Sequence, residues 1–269
     1  MSWHLRPMAA FDTETTGIDR ENDRIVEATV AVVDASTKRA DWTTRLIAVD
    51  IEIPETAQRI HGISTERARA EGAPADETLE LIATELTLAM LSGLPVVGMN
   101  IEYDFTLLDR ELRRNRLMTL PERLGRPIRP VVDVYVIDKA LDQWRKGSRK
   151  LDALCTEYRV PQKTAHTSAD DALNSARIAY QMMRRAQLDT SDLTLHFYPK
   201  HLPHQVEPIA NAYRGLAGMT LDQLHDAQIV WRRQQQESLA AHFRGKGKRV
   251  DDINTSWPMA PHHSEKELV

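Results

Sequence analysis

Cysteine is nearly absent: Cys155 is the only one among 269 residues. That excludes a disulfide framework and any zinc site built on several thiolates, and it permits a reducing compartment. Long apolar runs are also missing. No stretch of about 18 apolar residues occurs, so no membrane span and no membrane partner are expected. The opening residues, MSWHLRPMAAFD, lack the apolar core of a signal peptide, and a cytoplasmic location is the expectation. No 20–50-residue repeat or low-complexity tract is present, which excludes solenoids and fibrous architectures. Net charge is only −4, which does not by itself announce a nucleic-acid binder. What remains, 42 % hydrophobic and 28 % charged, is the composition of an ordinary globular protein long enough for one large domain with an appendage.

The charge is unevenly spread. Between Arg110 and Lys150 twelve Lys and Arg face five Asp and Glu, a local excess of seven positive charges in an otherwise acidic chain. Such a segment is either a phosphate-binding wall or a set of solvated, paired helix faces.

Periodicity supplies a coarse element order. Met8–Phe11 is short and apolar and runs into polar DTETTG, a strand followed by a turn. The alternating, β-branched stretch Arg24–Val33 predicts a strand, with Ala40–Val49 as its hairpin partner. Asp76–Leu91 has apolar residues at helical spacing, with Asp76 as N-cap and Gly93 as stop. PVVGM at 95–99 predicts a buried strand, Tyr103–Leu117 an amphipathic helix and Arg129–Val134 a further short strand. Lys150–Tyr158 and Ser168–Ala186 predict helices, the second capped by Ser168. Strands that alternate with helices after an initial hairpin imply a mixed sheet with helices on its faces.

Beyond about Leu188 the texture changes. Residues 195–208 resist periodic assignment, and Thr220 opens a helix with capping-box spacing to Gln223 that runs to about Phe243. The predicted division is a domain over 1–188 and a C-terminal accessory segment over 189–269, with a helix at about 220–243 and a polar tail. His196, His201 and His204 read as surface histidines, and RGKGKR at 244–249 as a solvated linker.

The chemistry-bearing residues form three groups. Asp12 and Glu14 lie two apart at the end of the first strand, so their carboxylates share a face. Two hard oxygen donors together suit Mg²⁺ or Mn²⁺. Asn100 and Asp104 follow the PVVGM strand in NIEYD, at the carboxyl end of a strand where open α/β sheets place ligands. His166 and Asp171 sit in HTSADD, the histidine in a loop and the aspartate in the first turn of the next helix. Taken singly, each of these groups reads first as an ordinary turn, loop or helix-capping feature.

Together FDTETTG, then NxxxD about ninety residues on, then HxxxxD about sixty beyond, in that order, resembles the DEDDh family of 3′→5′ exonucleases. The resemblance covers about residues 8–186 and extends to IHGIS at 60–64. It implies an RNase H-like α/β fold, a five-stranded mixed sheet flanked by helices, here followed by a mostly helical C-terminal extension. It implies that Asp12, Glu14, Asp104 and Asp171 hold two divalent cations, Mg²⁺ or Mn²⁺, and that His166 is the general base. The position that carries Tyr in the related subfamily is Thr167, so the histidine version is the one present.

By the same resemblance, Thr15, Thr16 and Gly17 offer backbone N–H groups to the terminal sugar and Ile18 wedges against the terminal base. His61, Asn100 and Tyr103 line the nucleotide pocket, and Tyr103 stacks on a base. The implied activity is release of nucleoside 5′-monophosphates from the 3′ end of single-stranded DNA in proofreading or repair. An exoribonuclease with the same chemistry and an inactive nucleic-acid-binding module are the alternatives. A polymerase or clamp is the implied partner of the C-terminal segment, where QQQESLAAHF at 234–243 has only a partial match to a clamp-binding peptide.

Overall fold

The computed structural model of the chain describes residues 2–162, 167–250 and 253–262. After a 3₁₀ turn at Trp3–Leu5, β1 (Met8–Thr15) and β2 (Ile25–Asp34) form an antiparallel pair, and β3 (Arg39–Leu46) extends it as the edge strand. Three helices follow: α1 (Glu55–His61), α2 (Thr65–Glu71) and α3 (Ala75–Leu91). Then come β4 (Val96–Gly98), α4 (Glu102–Arg114), α5 (Leu120–Leu124) and β5 (Val131–Asp133). Strand order is β3-β2-β1-β4-β5, with β1, β4 and β5 mutually parallel. The remaining helices are α6 (Val134–Leu141), α7 (Leu151–Glu157), α8 (Ser168–Arg185), α9 (Thr190–His196), α10 (Pro203–Gly218) and α11 (Leu221–Gly245).

The period of two in the strands builds two apolar layers. Met8 and Ala10 of β1, Val97 of β4 and Val132 of β5 face α8 and the C-terminal helices. Ala9, Phe11, Val96 and Val131 face α3, α4 and α5. The same alternation continues past the apolar part of β1. Asp12 and Glu14 therefore come up on the α8 side and Thr13 on the α4 side. The parallel strands all end at one edge, and the candidate site lies there.

Several expectations are adjusted at element ends. Helix α3 starts at Ala75 with Pro74 at the N-cap position, and Asp76 lies in its first turn, where a carboxylate complements the helix dipole. Helix α8 is capped by Thr167, whose hydroxyl accepts from the Asp170 N–H at 3.2 Å, not by Ser168. The stretch 195–208, unassigned from periodicity, holds the end of α9 and the first turns of α10. The capping box at Thr220 is present as expected: the Gln223 N–H donates to the Thr220 hydroxyl, and the Thr220 N–H donates to the Gln223 side chain.

The segment behind residue 188 packs into the sheet's own core. Leu193, Val206, Ala210, Tyr213, Leu216 and Leu224 join the apolar layer that contains Met8 and Ala10. Gln228 of α11 pairs with β5 through its side chain, accepting from Asp133 N–H at 2.6 Å and donating to the Val131 carbonyl at 2.9 Å. No helix among the described residues is long and apolar enough to cross a membrane.

Candidate active site

Asp12 and Glu14 project from β1 and Asp171 from the first turn of α8. One carboxylate oxygen of each lies within 4.8 Å of the others. Asp104 approaches from α4, in its first turn, and is held by the Thr13 hydroxyl, which donates to Asp104 Oδ1 at 2.6 Å. Adjacent residues of one strand thus serve both halves of the cluster: Asp12 and Glu14 directly, Thr13 by gripping the carboxylate from the opposite layer.

The electrostatics follow from this crowding. Burial, then the charges of Asp104, Asp171, Glu14 and Glu27, push Asp12 well above the ordinary carboxylate range. Burial and the charges of Asp171, Glu27 and Asp104 push Glu14 up to about 8. Asp104 is raised to about 7, chiefly by burial, against the lowering effect of the Thr13 hydrogen bond. Like charges confined in a poorly solvated site repel unless a cation intervenes. The donor set, carboxylate oxygens only, fits a hard divalent cation.

Glu27 is a fifth carboxylate that motif reading missed. It pairs across the sheet with Glu14 and accepts from the Ser168 hydroxyl at 2.7 Å. Ser168 also bonds the Thr29 hydroxyl at 2.8 Å, so β2 and the start of α8 are tied beside Asp171. The signal was available in principle: a cross-strand partner of Glu14 on an alternating strand shares its face. Asp133 was missed as well. It caps α6 and accepts from the Asn100 N–H at 2.9 Å, which fixes the NIEYD turn where Asn100 adopts φ +55°.

The turn after β1 is tightly built. The Thr15 hydroxyl donates to the Gly17 carbonyl at 2.7 Å, and the Tyr103 hydroxyl donates to the same carbonyl at 2.5 Å. Thr16 is buried; its hydroxyl donates to Asp23 and its N–H to the Arg24 carbonyl. The Thr16 N–H, expected to face a sugar, is therefore committed inside the turn. A Cβ at Gly17 would meet the Asp23 carboxylate at 2.6 Å, so glycine there leaves that carboxylate free to accept from the Thr16 hydroxyl and the Asp19 N–H. Ile18 stands at the tip and is 93 % exposed.

Tyr103, expected to stack on a base, is half-buried and braces the turn, with the Arg20 guanidinium 5.9 Å from its ring centroid. His61 ends α1, and its Nδ1 accepts from the Ile63 N–H at 3.1 Å. Its Nε2 is buried, and burial lowers its pKa against the raising effect of the Thr15 backbone. His166 lies outside the described residues.

The basic segment resolves largely into ion pairs. Arg110 is bidentate to Glu21, Arg113 bonds Asp109 and Arg114 pairs with Glu111. Arg123 pairs with Glu80, Arg129 with Asp222 and Asp226, and Arg145 and Arg149 with the buried Asp138. Its positive excess is internal wiring far more than an open phosphate track.

A five-stranded mixed sheet with a carboxylate cluster at the carboxyl ends of its parallel strands fits a protein that holds a hard divalent cation there. The family model described as Exonuclease (RNase T) matches residues 9–179, and the chain belongs to that family. It is 27 % identical over 164 residues to the DNA polymerase III epsilon subunit of Treponema pallidum, covering 61 % of this chain and 70 % of that protein. It is 23 % identical over 208 residues to the 3′-5′ exonuclease DinG of Staphylococcus epidermidis, covering 75 % of this chain but 21 % of that one. Among solved structures it resembles E. coli exonuclease I in complex with a dT13 oligonucleotide, with a TM-score of 0.55 and 17 % identity, over 72 % of this chain and 42 % of that chain. The fold is thereby RNase H-like. The chain spans about a fifth of DinG and about two fifths of exonuclease I.

Proposed function

We propose that the chain is a 3′→5′ exonuclease that hydrolyses the terminal phosphodiester of single-stranded DNA and releases nucleoside 5′-monophosphates, acting in replication proofreading or repair in the cytoplasm. The observation that carries the reading is the convergence of Asp12, Glu14 and Asp171 within 4.8 Å, with Asp104 held beside them by Thr13. Family membership supports it, because exonucleases of this family imply divalent metal use. DNA is favoured over RNA as substrate because the solved relatives carry dT13 and dA16 oligonucleotides.

Asp12, Glu14, Asp104 and Asp171 would hold two divalent cations, Mg²⁺ or Mn²⁺, which offset charge building on the phosphoryl oxygens and make water more acidic. His166 takes the proton of the attacking water as general base. Thr13 orients Asp104 and favours its ionised form. The terminal nucleotide lies against the turn 15–18. Ile18 abuts its base, and the Tyr103 hydroxyl fixes the Gly17 carbonyl so that the turn presents one shape. His61, Asn100 and Thr15 complete the lining. Residues 1–188 carry the catalytic chemistry, and the C-terminal segment 189–269 is where a polymerase or clamp would dock, as the epsilon relative's name suggests.

The test is a time course on 3′-labelled single-stranded DNA, duplex DNA and RNA of matched sequence, with Mg²⁺, with Mn²⁺ and with EDTA. Stepwise release of 5′-monophosphates, fastest on single-stranded DNA and abolished by EDTA, supports the reading. Metal-independent cleavage or 3′-phosphate products overturn it. Faster RNA degradation moves the substrate to RNA and keeps the chemistry.

A further inference from the structure

The loop that leaves the recognition turn, residues 19–24, is anchored to α4 through several side chains, among them Arg114, which donates to the Glu21 carbonyl at 3.0 Å. Arg20 Nη2 donates to Glu102 Oε2 at 3.0 Å, and Arg110 grips the Glu21 carboxylate with two hydrogen bonds of 2.9 Å. Glu102 is fully buried and Arg110 nearly so. They lie eight residues apart on α4, a little over two turns or about 12 Å along its axis.

The same two residues are also held from the other end of the chain. Asn254 Nδ2 donates to Glu102 Oε1 at 3.0 Å, and Arg232 of α11 donates to Glu102 Oε2 at 3.2 Å. Arg110 Nη2 donates to the Pro261 carbonyl at 2.9 Å, and Arg110 Nη1 reaches the Ala260 carbonyl at 3.4 Å. Between these contacts the C-terminal strap, residues 253–262, is seated on the catalytic body. Trp257 is buried, stacks at 5.0 Å from the His225 ring and donates to Asp133 at 3.4 Å, and the Ala260 N–H donates to the Thr106 hydroxyl at 2.9 Å.

We propose that this strap is a positioning element of the nucleotide site, and that it locks the loop behind Ile18 through Glu102 and Arg110, the two α4 residues that loop and strap share. The inference rests on the reading that the turn 15–18 receives the 3′ nucleotide. A buried carboxylate is held rigidly only while its oxygens are all satisfied. Without Asn254, the one hydrogen bond left to Glu102 Oε1 among the described residues is that of Thr106, at 3.4 Å. Glu102 Oε2 stays held by Arg20 and Arg232, but the carboxylate pivots about that oxygen, Arg20 moves with it, and the loop behind Ile18 loses its fixed seat. None of these residues touches the carboxylate cluster, so the consequence falls on holding the strand end and not on the chemical step.

The experiment compares wild type, Asn254→Ala, Asn254→Gln and a chain stopped after Ile253. It measures amide hydrogen exchange over residues 18–24 and steady-state kinetics on 3′-labelled single-stranded DNA. Loss of one hydrogen bond to a buried charged group is worth about tenfold. The expected result for Asn254→Ala is exchange about tenfold faster in that loop, KM raised about tenfold and kcat changed by less than about threefold. Asn254→Gln, which keeps an amide donor, recovers part of both. The truncated chain shows the larger effect; should it fail to fold, Asn254→Ala carries the test.

Unchanged exchange in residues 18–24 overturns the proposal. So does faster exchange with an unchanged KM, because the strap would then hold a loop that does not serve the substrate. If wild type releases no nucleotide from any 3′ end, the functional reading fails, and exchange alone still decides the mechanical link.

Discussion

The hydroxyl of Thr13 donates to Asp104 Oδ1 at 2.6 Å across 91 residues of sequence. It is the contact by which β1 reaches into the α4 layer and holds the carboxylate that joins Asp12 and Glu14 from the other side. Thr13→Val keeps the shape and removes the donor. A hydrogen bond to a charged group is worth about 1.5–3 kcal/mol. Nuclease kcat is therefore expected to fall by about tenfold or more, and more metal should be needed for half-maximal rate, while Thr13→Ser stays near wild type. Steady-state kinetics across a Mg²⁺ titration check this; an unchanged rate for Thr13→Val would remove Thr13 from the site.

The carboxylate cluster trades stability for function. Asp12 is raised well above its ordinary range by burial and by four neighbouring acids, so folding the metal-free protein costs either protonation of this carboxyl or burial of its charge. Asp12→Asn removes that cost at nearly constant volume. It is expected to abolish exonuclease turnover and at the same time to raise the metal-free Tm by a few degrees. Addition of Mg²⁺ or Mn²⁺ should raise the wild-type Tm and leave the Asp12→Asn variant much less affected. Thermal denaturation of both proteins with and without metal, beside a nuclease assay, reads all three outcomes; a lower metal-free Tm for the variant would argue that Asp12 is structural.

Motifs of short span were legible, and contacts of long span were not. FDTETTG, NIEYD and HTSADD each place their carboxylate by local geometry, a strand alternation or a first helical turn, and the structure brings Asp12, Glu14 and Asp171 together accordingly. Helix α6 was invisible because Val131–Ile137 is apolar and mostly β-branched apart from Asp133. The change from strand to helix falls at Asp133, whose side chain caps the helix from within the run. Helix α10 was obscured by Pro203 and Pro208: Pro203 opens the helix, where a missing N–H costs least, and Pro208 lies inside it, where one backbone hydrogen bond is given up. Glu27 belongs to no motif, and Glu102 is a position inside NIEYD to which the motif assigns no role. Their roles depend on partners in β1, α8, α11 and the strap, which pairwise spacing along the chain does not encode.

The basic segment shows the same limit, and it yields a prediction. Counting charges leaves the segment that contains Arg113 and Arg114 as either a phosphate-binding wall or a set of paired helix faces. In the structure Arg113 bonds Asp109, and Arg114 pairs with Glu111 and donates to the Glu21 carbonyl at 3.0 Å. Each phosphate contact contributes roughly one unit to the slope of log affinity against log salt. The double variant Arg113→Ala/Arg114→Ala is therefore expected to leave that slope within about half a unit of wild type. It should lower Tm instead, because Asp109 and Glu111 are buried acids that lose a cation. Fluorescence-anisotropy titrations of single-stranded DNA over a range of salt, beside a melting curve, separate the two outcomes. A slope reduced by two units would restore the strand-tracking role.

His225 gives the fold a defined sensitivity to acid. It is buried in α11, its Nδ1 accepts from the Val131 N–H at 3.2 Å, and its ring packs on Trp257. Burial, then the charge of Arg129, lowers its pKa to about 4, against smaller opposing effects from Asp226 and Asp222. The ordinary value of about 6.5 holds in the unfolded chain, so the unfolded state binds the proton first as pH falls. The neutral form is therefore fully favourable above pH ~6.5. Stability declines as pH drops from ~6.5 to ~4 and levels off below, a total of about 3 kcal/mol. The carboxylates of the site titrate in the opposite sense, with folded values raised, so wild type alone does not isolate the effect. The difference between wild type and His225→Gln does. Urea unfolding of both proteins at half-unit steps from pH 4 to 7.5 should show a gap that favours wild type most at pH 7 and narrows by about 3 kcal/mol towards pH 4. A gap that stays constant with pH would mean that His225 is not held neutral by the fold.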